Sequence, residues 1–376
     1  MKTLVLLSSG VSWSTIGEAE RREELKEMPR ISPFVRTLNG EVLNEQFLKS
    51  APKRRQIVYA RVPVSLAQVM EAYAVRKRYD AVVSWAEHLG IPFAGLLKAT
   101  GAHTPHVTIF SWISKWKKAV LLKRVISHID KMILMSTAQR NFATDVLGIS
   151  PSRIALLRWP VDLQFWRPEP GAGSMICSAG REMRDYGTLI DAVRGLEIPC
   201  HIAEGGQLQM EKNDLGAKAI REAGSLPQHI TVGRKSFPEL RQLYAQSRFL
   251  VMPLLPTDTD NGNTSMLEAM AMRKPVICSR VSGQRDVVQE GKTGLFVPPG
   301  DPRALRNAIQ FLWDNPEITE RMGKDARAYV ERYHDFDNWT TDVRNVVESV
   351  TGKHERERKV ETDSAELIAS STHEES

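Results

Sequence analysis

The 376-residue sequence has little of what marks a membrane-spanning, disulfide-stapled or metal-built protein. No apolar run approaches the roughly 18–20 residues that a bilayer crossing requires. Met1-Lys2 followed by Thr3 to Leu7 mimics a signal peptide, but this apolar stretch spans only five residues. It runs into Ser8, Ser9 and Gly10, the pattern of a strand entering a glycine turn. The three cysteines, Cys177, Cys200 and Cys278, are an odd number without metal-ligand spacing. They fit reduced thiols in a cytosolic protein better than a disulfide framework. No repeat of 20–50 residues recurs, and no nucleic-acid motif is recognisable. What is present is ordinary: 42% hydrophobic and 26% charged residues, which excludes a wholly disordered chain or a fibrous repeat. The length exceeds one ordinary core and suits two domains of about 150–180 residues.

The net charge is +6, and positions 351–376 hold four Lys/Arg against seven Asp/Glu. The preceding 350 residues therefore carry about +9. Such a surplus favours phosphorylated ligands, polyanions or anionic membrane surfaces without choosing among them.

Short β-rich runs alternate with amphipathic helical patterns along the chain. Strands are expected at Thr3 to Leu7, Gln56 to Ala60, Ala81 to Ser84, Val107 to Phe110 and Lys131 to Met135, with helices such as Ser65 to Arg78 and Ser114 to His128 between them. The same alternation restarts at Ser174 to Ala179 and continues through His201 to Ala203, Ile230 to Val232, Phe249 to Pro253 and Pro275 to Ser279. This is the grammar of parallel sheets covered by helices. Arg158 to Gly173, rich in Pro and Gly, reads as an interdomain linker. The expectation is an α/β protein with two doubly wound, Rossmann-like domains facing across a cleft. They occupy 1–165 and 172–335, followed by a helix at 336–350 that can return to the first domain and a disordered tail at 351–376.

The most informative segment is Asp260 to Asp301, DNGNTSMLEAMAMRKPVICSRVSGQRDVVQEGKTGLFVPPGD. Seven residues separate two acids, Asp260 and Glu268. Gly262, Asn263, Thr264 and Ser265 are turn and N-cap residues, and Met266 to Met272 is an apolar helical run. The free N–H groups at such a helix start suit a diphosphate. Glu268 lies about one turn inside, within reach of sugar or ribose hydroxyls. Gly283 marks a close backbone approach. Taken alone, the acids read equally well as solvated helix residues.

The segment resembles the retaining glycosyltransferases of family 4, whose fold is called GT-B. The resemblance rests on the two acids, Glu268-Ala269-Met270-Ala271, Pro275-Val276-Ile277, and Glu290-Gly291-Lys292-Thr293-Gly294-Leu295-Phe296-Val297-Pro298-Pro299-Gly300-Asp301. It is strongest from Arg158 to Tyr333. The sequence departs from the family at Asp260, where Glu is usual, at Gly262-Asn263-Thr264 in place of Gly-x-Pro, and at Arg273-Lys274 before the proline. A family histidine after the fourth strand is replaced by Phe110-Ser111.

The resemblance implies that Arg181 and Arg184, in Ala179-Gly180-Arg181-Glu182-Met183-Arg184, hold the donor diphosphate, where guanidinium groups stabilise departing charge. It further implies Glu268 on the donor ribose and Asp260 on the transferred sugar. Val232 and Gly233 would border the nucleobase, and Gly10 would approach the donor from the first domain. Glu87 and His88, beyond the strand Ala81 to Ser84, fall where an acceptor side could lie, and equally where a cap or surface pair would. The implied chemistry is transfer from a UDP- or GDP-sugar to a saccharide, lipid-linked or small-molecule acceptor, with retention of configuration. It needs no metal and no cofactor, since the nucleotide sugar is a substrate. Asp258-Thr259-Asp260 matches a cation motif only by chance.

Trp112 to Lys131 holds six Lys/Arg and one Asp. Leu122, Val125, Ile126, Ile129 and Ile133 follow helical spacing, so the segment reads as a peripheral anchor on an anionic membrane or as a helix packed on its own sheet. The expected location is the cytoplasm. A nucleotide-sugar epimerase of the same fold and a non-enzymatic basic binding protein are the rival readings.

Overall fold

A computed structural model describes residues 1–7, 13–204, 220 and 226–352. Six strands form the first sheet: β1 (Thr3–Leu6), β2 (Gly40–Leu43), β3 (Ala81–Trp85), β4 (His106–Phe110), β5 (Lys131–Leu134) and β6 (Ile154–Leu156). Six more form the second: β7 (Met175–Ala179), β8 (Cys200–Ala203), β9 (Ile230–Gly233), β10 (Ser247–Met252), β11 (Val276–Ser279) and β12 (Gly294–Val297). The orders are β2-β1-β3-β4-β5-β6 and β12-β11-β10-β7-β8-β9, with every pairing parallel. Central strands such as β1, β4, β8 and β11 are buried along their whole length. Helices on both faces of a parallel sheet demand this, and it explains why these strands read as unbroken apolar runs.

Three sequence expectations change. The run Gln56 to Ala60 is not a strand but part of the helix Lys53–Tyr59. Pro52 precedes its first turn, the Gln56 amide binds the carbonyls of Lys49 and Ala51, and Tyr59 donates to buried Glu71 at 2.6 Å. Local β-propensity yields to these contacts, and Ile57 and Val58 face outward. The second strand is instead Gly40–Leu43, unremarkable in composition. Val161 and Phe165, assigned from sequence to the first domain, bury in the second core with Trp166, Tyr244 and Met266.

The last helix spans 336–352 rather than stopping at 350. Phe336, Trp339, Val343, Val347 and Val350 recur at helical spacing and bury against Val5, Val35, Ala81, Val107 and Ile133. The last described helix thus completes the first core. The tail expected at 351–376 lies outside the described residues from 353 onward. Where the chain crosses between domains, Val161 N–H donates to His334 O at 2.8 Å and Phe336 N–H to Val161 O at 3.2 Å. Arg30 joins Asp162 (2.9 Å) and Asp337 (3.1 Å) across the same crossing.

Candidate active site

Parallel strands share one carboxyl edge, and ligands in open α/β sheets bind beyond it, where the strand order reverses. In the second sheet that reversal lies between β7 and β10. The loops leaving these two strands carry the residues singled out from sequence.

After β7, Gly180 adopts φ +99, a conformation that L side chains rarely take. A Cβ there would stand 2.1 Å from Arg184 Nη2, so a side chain would displace the guanidinium as well as strain the backbone. Arg184 is buried, its Nε donating to Ala179 O at 2.8 Å and its Nη1 to Glu182 O at 2.7 Å. Arg181 stands half-buried earlier in the same loop.

After β10, Gly262 (φ +90) precedes the helix Asn263–Ala271, and no side chain caps that helix. A Cβ on Gly262 would be 3.5 Å from Arg184 Nη1, so the arginine and the helix start lie side by side. Asn263 is 1% exposed, and its side-chain oxygen and nitrogen both lack a partner among the described residues. Orphaned buried amides cost free energy unless something satisfies them. Thr264 is exposed and Ser265 half-buried on the next positions.

Glu268, one turn further in, accepts a hydrogen bond from Tyr244 OH at 3.1 Å. Burial pushes its carboxyl up to about 8, against the pull of the Tyr244 hydroxyl and the Arg184 charge. It is therefore a neutral acid at pH 7. Tyr244 comes from the helix Phe237–Gln246 and had no signal in the sequence.

Asp260 lies at the domain boundary. Its Oδ1 accepts from Ser136 Oγ at 2.7 Å and its Oδ2 from Trp159 Nε1 at 2.9 Å. Burial raises its carboxyl to about 6; the two donors lower it, and Asp286 and Asp258 raise it further. Gly283 does mark a close approach, but to backbone: a Cβ there would meet Thr259 O at 1.9 Å. The Gln284 amide also donates to Asn261 O at 2.5 Å, which holds the Asp260 loop in place.

The structure thus brings Gly180, Arg184, Gly262, Asn263 and Glu268 together. The remaining residues are placed otherwise. Gly10 lies outside the described residues. Val232 and Gly233 end β9 at the sheet edge, half-buried, beside His201. Glu87 starts the helix after β3 and is buried, ion-paired with Lys118 and accepting from Ser111 N at 3.2 Å. Glu87 is thus held in a pair and makes no capping bond to its own helix, while His88 beside it is exposed. In Trp112 to Lys131, the stripe Leu122, Val125 and Ile129 packs into the first domain's core. A second face stays outside, with Trp116 71% exposed beside Val120 and Leu121.

A family model described as glycosyl transferases group 1 matches residues 186–315. Similar curated proteins include the D-rhamnosyltransferase WbpZ of Pseudomonas aeruginosa, 28% identical over 72% of this chain and 75% of that protein. The O-antigen chain mannosyltransferase C of Escherichia coli is 23% identical over 74% of this chain and 78% of its own length. Among solved structures, sucrose-phosphate synthase from Thermosynechococcus elongatus superposes with a TM-score of 0.72 at 16% identity, covering 94% of this chain and all of that one. HepE of Anabaena, in complex with UDP and glucose, gives 0.68 at 16% identity over 93% of this chain and all of its own. The matched segment contains Asn263 and Glu268 on one helix and Tyr244 on another, and the two facing parallel sheets are those of the GT-B fold: residues 186–315 form a glycosyl transferases group 1 domain within that fold.

Proposed function

We propose that the protein is a retaining, metal-independent glycosyltransferase that moves a sugar from a nucleotide-sugar donor to an acceptor hydroxyl in polysaccharide or glycoconjugate synthesis. The observation that carries the donor site is the uncapped start of the helix Asn263–Ala271, with the orphaned Asn263 amide and the Arg184 guanidinium beside it. Backbone N–H groups, an amide and a guanidinium converging there suit a diphosphate and oppose the charge that builds as it leaves. Glu268, as a neutral acid, exchanges hydrogen bonds with the ribose, and Asp260 accepts from a hydroxyl of the sugar. The leaving phosphate takes the acceptor's proton on the same face, so no protein nucleophile is required. Relatives named for D-rhamnosyl and O-antigen mannosyl transfer support a saccharide acceptor. The exposed face of Trp116, Lys117, Val120 and Leu121 suits a peripheral contact with an anionic membrane.

Incubation with a panel of UDP-, GDP- and ADP-sugars, read by mass spectrometry, tests the activity. One sugar nucleotide should be consumed and its nucleoside diphosphate released, while interconversion to an isomeric sugar nucleotide would favour an epimerase. NMR of the product's anomeric proton tests retention, and activity surviving a chelator tests metal independence.

A further inference from the structure

We propose that Ser136, from the first domain, and Trp159, from the linker, are positioning residues for Asp260, so that the acid facing the donor sugar is set in place only when the two domains stand together. This rests on the reading of Asp260 given above. Each carboxylate oxygen accepts one hydrogen bond from outside its own domain, at 2.7 and 2.9 Å, across 124 and 101 positions of sequence. Each oxygen keeps a further lone pair for a sugar hydroxyl.

The arrangement is more than a surface contact. Ser136 lies two residues beyond β5 and caps the helix Thr137–Asn141, accepting from Gln139 N at 3.3 Å while donating its proton to Asp260. A single hydroxyl thus links the helix start to the carboxylate. Trp159 packs against the apolar cores of both domains, and its carbonyl accepts from His334 at 2.7 Å, so its indole is aimed by the interdomain crossing. Around them, Thr137 N–H donates to Asp286 at 2.5 Å and the Gln139 amide reaches Asp258 O at 3.4 Å. On the Asp260 side, the Gly283 and Gln284 turn fixes the loop backbone. The carboxylate's orientation is therefore decided by donors that separate from it if the domains part.

The groups acting on Asp260 are burial, Asp286 and Asp258, which favour its protonated form, and Ser136 and Trp159, which favour the carboxylate. Losing either donor raises its proton affinity further, so the acid limb of turnover moves to higher pH.

The test uses the full chain and the sugar nucleotide consumed fastest in a UDP-, GDP- and ADP-sugar panel. Donor turnover is followed from pH 5 to 9 for wild type, Ser136→Ala, Ser136→Thr, Trp159→Phe and Asp260→Asn, alongside calorimetry with the nucleoside diphosphate alone. Ser136→Ala and Trp159→Phe should keep diphosphate affinity within about two-fold, lower kcat about ten-fold as one charge-assisted hydrogen bond is lost, and shift the acid limb upward. Ser136→Thr should restore both. If Asp260→Asn is impaired while the two variants keep the wild-type acid limb, the positioning role is wrong and the donor site stands. If Asp260→Asn turns over like wild type, the reading of Asp260 itself fails. Should Ser136→Ala fail to bind the diphosphate, Trp159→Phe alone decides by the same limb.

Discussion

Replacing Glu268 with glutamine should stabilise the empty protein at alkaline pH and leave nucleotide affinity at pH 7 nearly unchanged. The carboxyl is buried, with one hydrogen-bond donor, Tyr244, at 3.1 Å, and sits at about 8 instead of 4.5. A folded-state value above the unfolded one means that the native protein holds the proton more tightly. The group's contribution to stability is therefore full below pH 4.5 and is lost as pH rises through about 8. A displacement of that size corresponds to about 3–5 kcal/mol, and about 1 kcal/mol or less of it has been lost by pH 5. Glutamine carries no such penalty. The melting temperature of Glu268→Gln should match wild type near pH 5 and exceed it by roughly 5–10 °C above pH 8, read by calorimetry or dye fluorescence in a pH series. Because the native acid is neutral at pH 7, the glutamine amide replaces both its donor and its acceptor. Calorimetry with UDP and GDP should give an affinity within about three-fold of wild type, whereas Glu268→Ala, losing a hydrogen bond, should lose about ten-fold. A glutamine variant less stable than wild type at pH 8, or a difference that does not vary with pH, would refute the reasoning.

Other outcomes follow from the same geometry. Arg184→Ala should cost about 3 kcal/mol or more of stability as well as activity, because two backbone carbonyls lose a charged donor in a buried site; Arg181→Ala should lower catalytic efficiency about 10- to 100-fold with little change in melting temperature. Gly180→Ala should abolish donor binding, because its Cβ would meet the Arg184 guanidinium at 2.1 Å on a left-handed backbone; titration with the nucleoside diphosphate checks it. Ending the chain after Gly352 should preserve the melting temperature. Ending it after Asp335 should abolish soluble expression, because Trp339, Val343, Val347 and Val350 leave the first core. Sedimentation with phosphatidylserine vesicles at low salt should fall when Trp116→Ala is combined with Lys117→Gln, Lys123→Gln and Arg124→Gln, each charge contributing about 1 kcal/mol; equal sedimentation would remove the membrane contact.

Much of this architecture was legible in the chain itself. The alternation of apolar runs and helical periods determined two parallel sheets, because a strand buried on both faces must be apolar throughout. Gly283 announced a close approach and Gly262 a turn, and the spacing of Asp260 and Glu268 placed both acids around one helix start. Local chemistry was enough for these because turn, cap and periodicity act over a few residues. It misread Gln56 to Ala60, where Pro52 and the distant Glu71 outweighed β-propensity. It also left Glu87 open between an acceptor-side acid and a cap or surface pair, and could not show its ion-pair partner Lys118, 31 positions away. Only the tertiary structure decided the state of the site. Burial makes Glu268 a neutral acid, Tyr244 reaches it from a separate helix, and Ser136 and Trp159 meet Asp260 from another domain. Proton affinity and carboxylate orientation depend on desolvation and on partners more than 100 residues apart, and neither quantity is written in any local run of sequence.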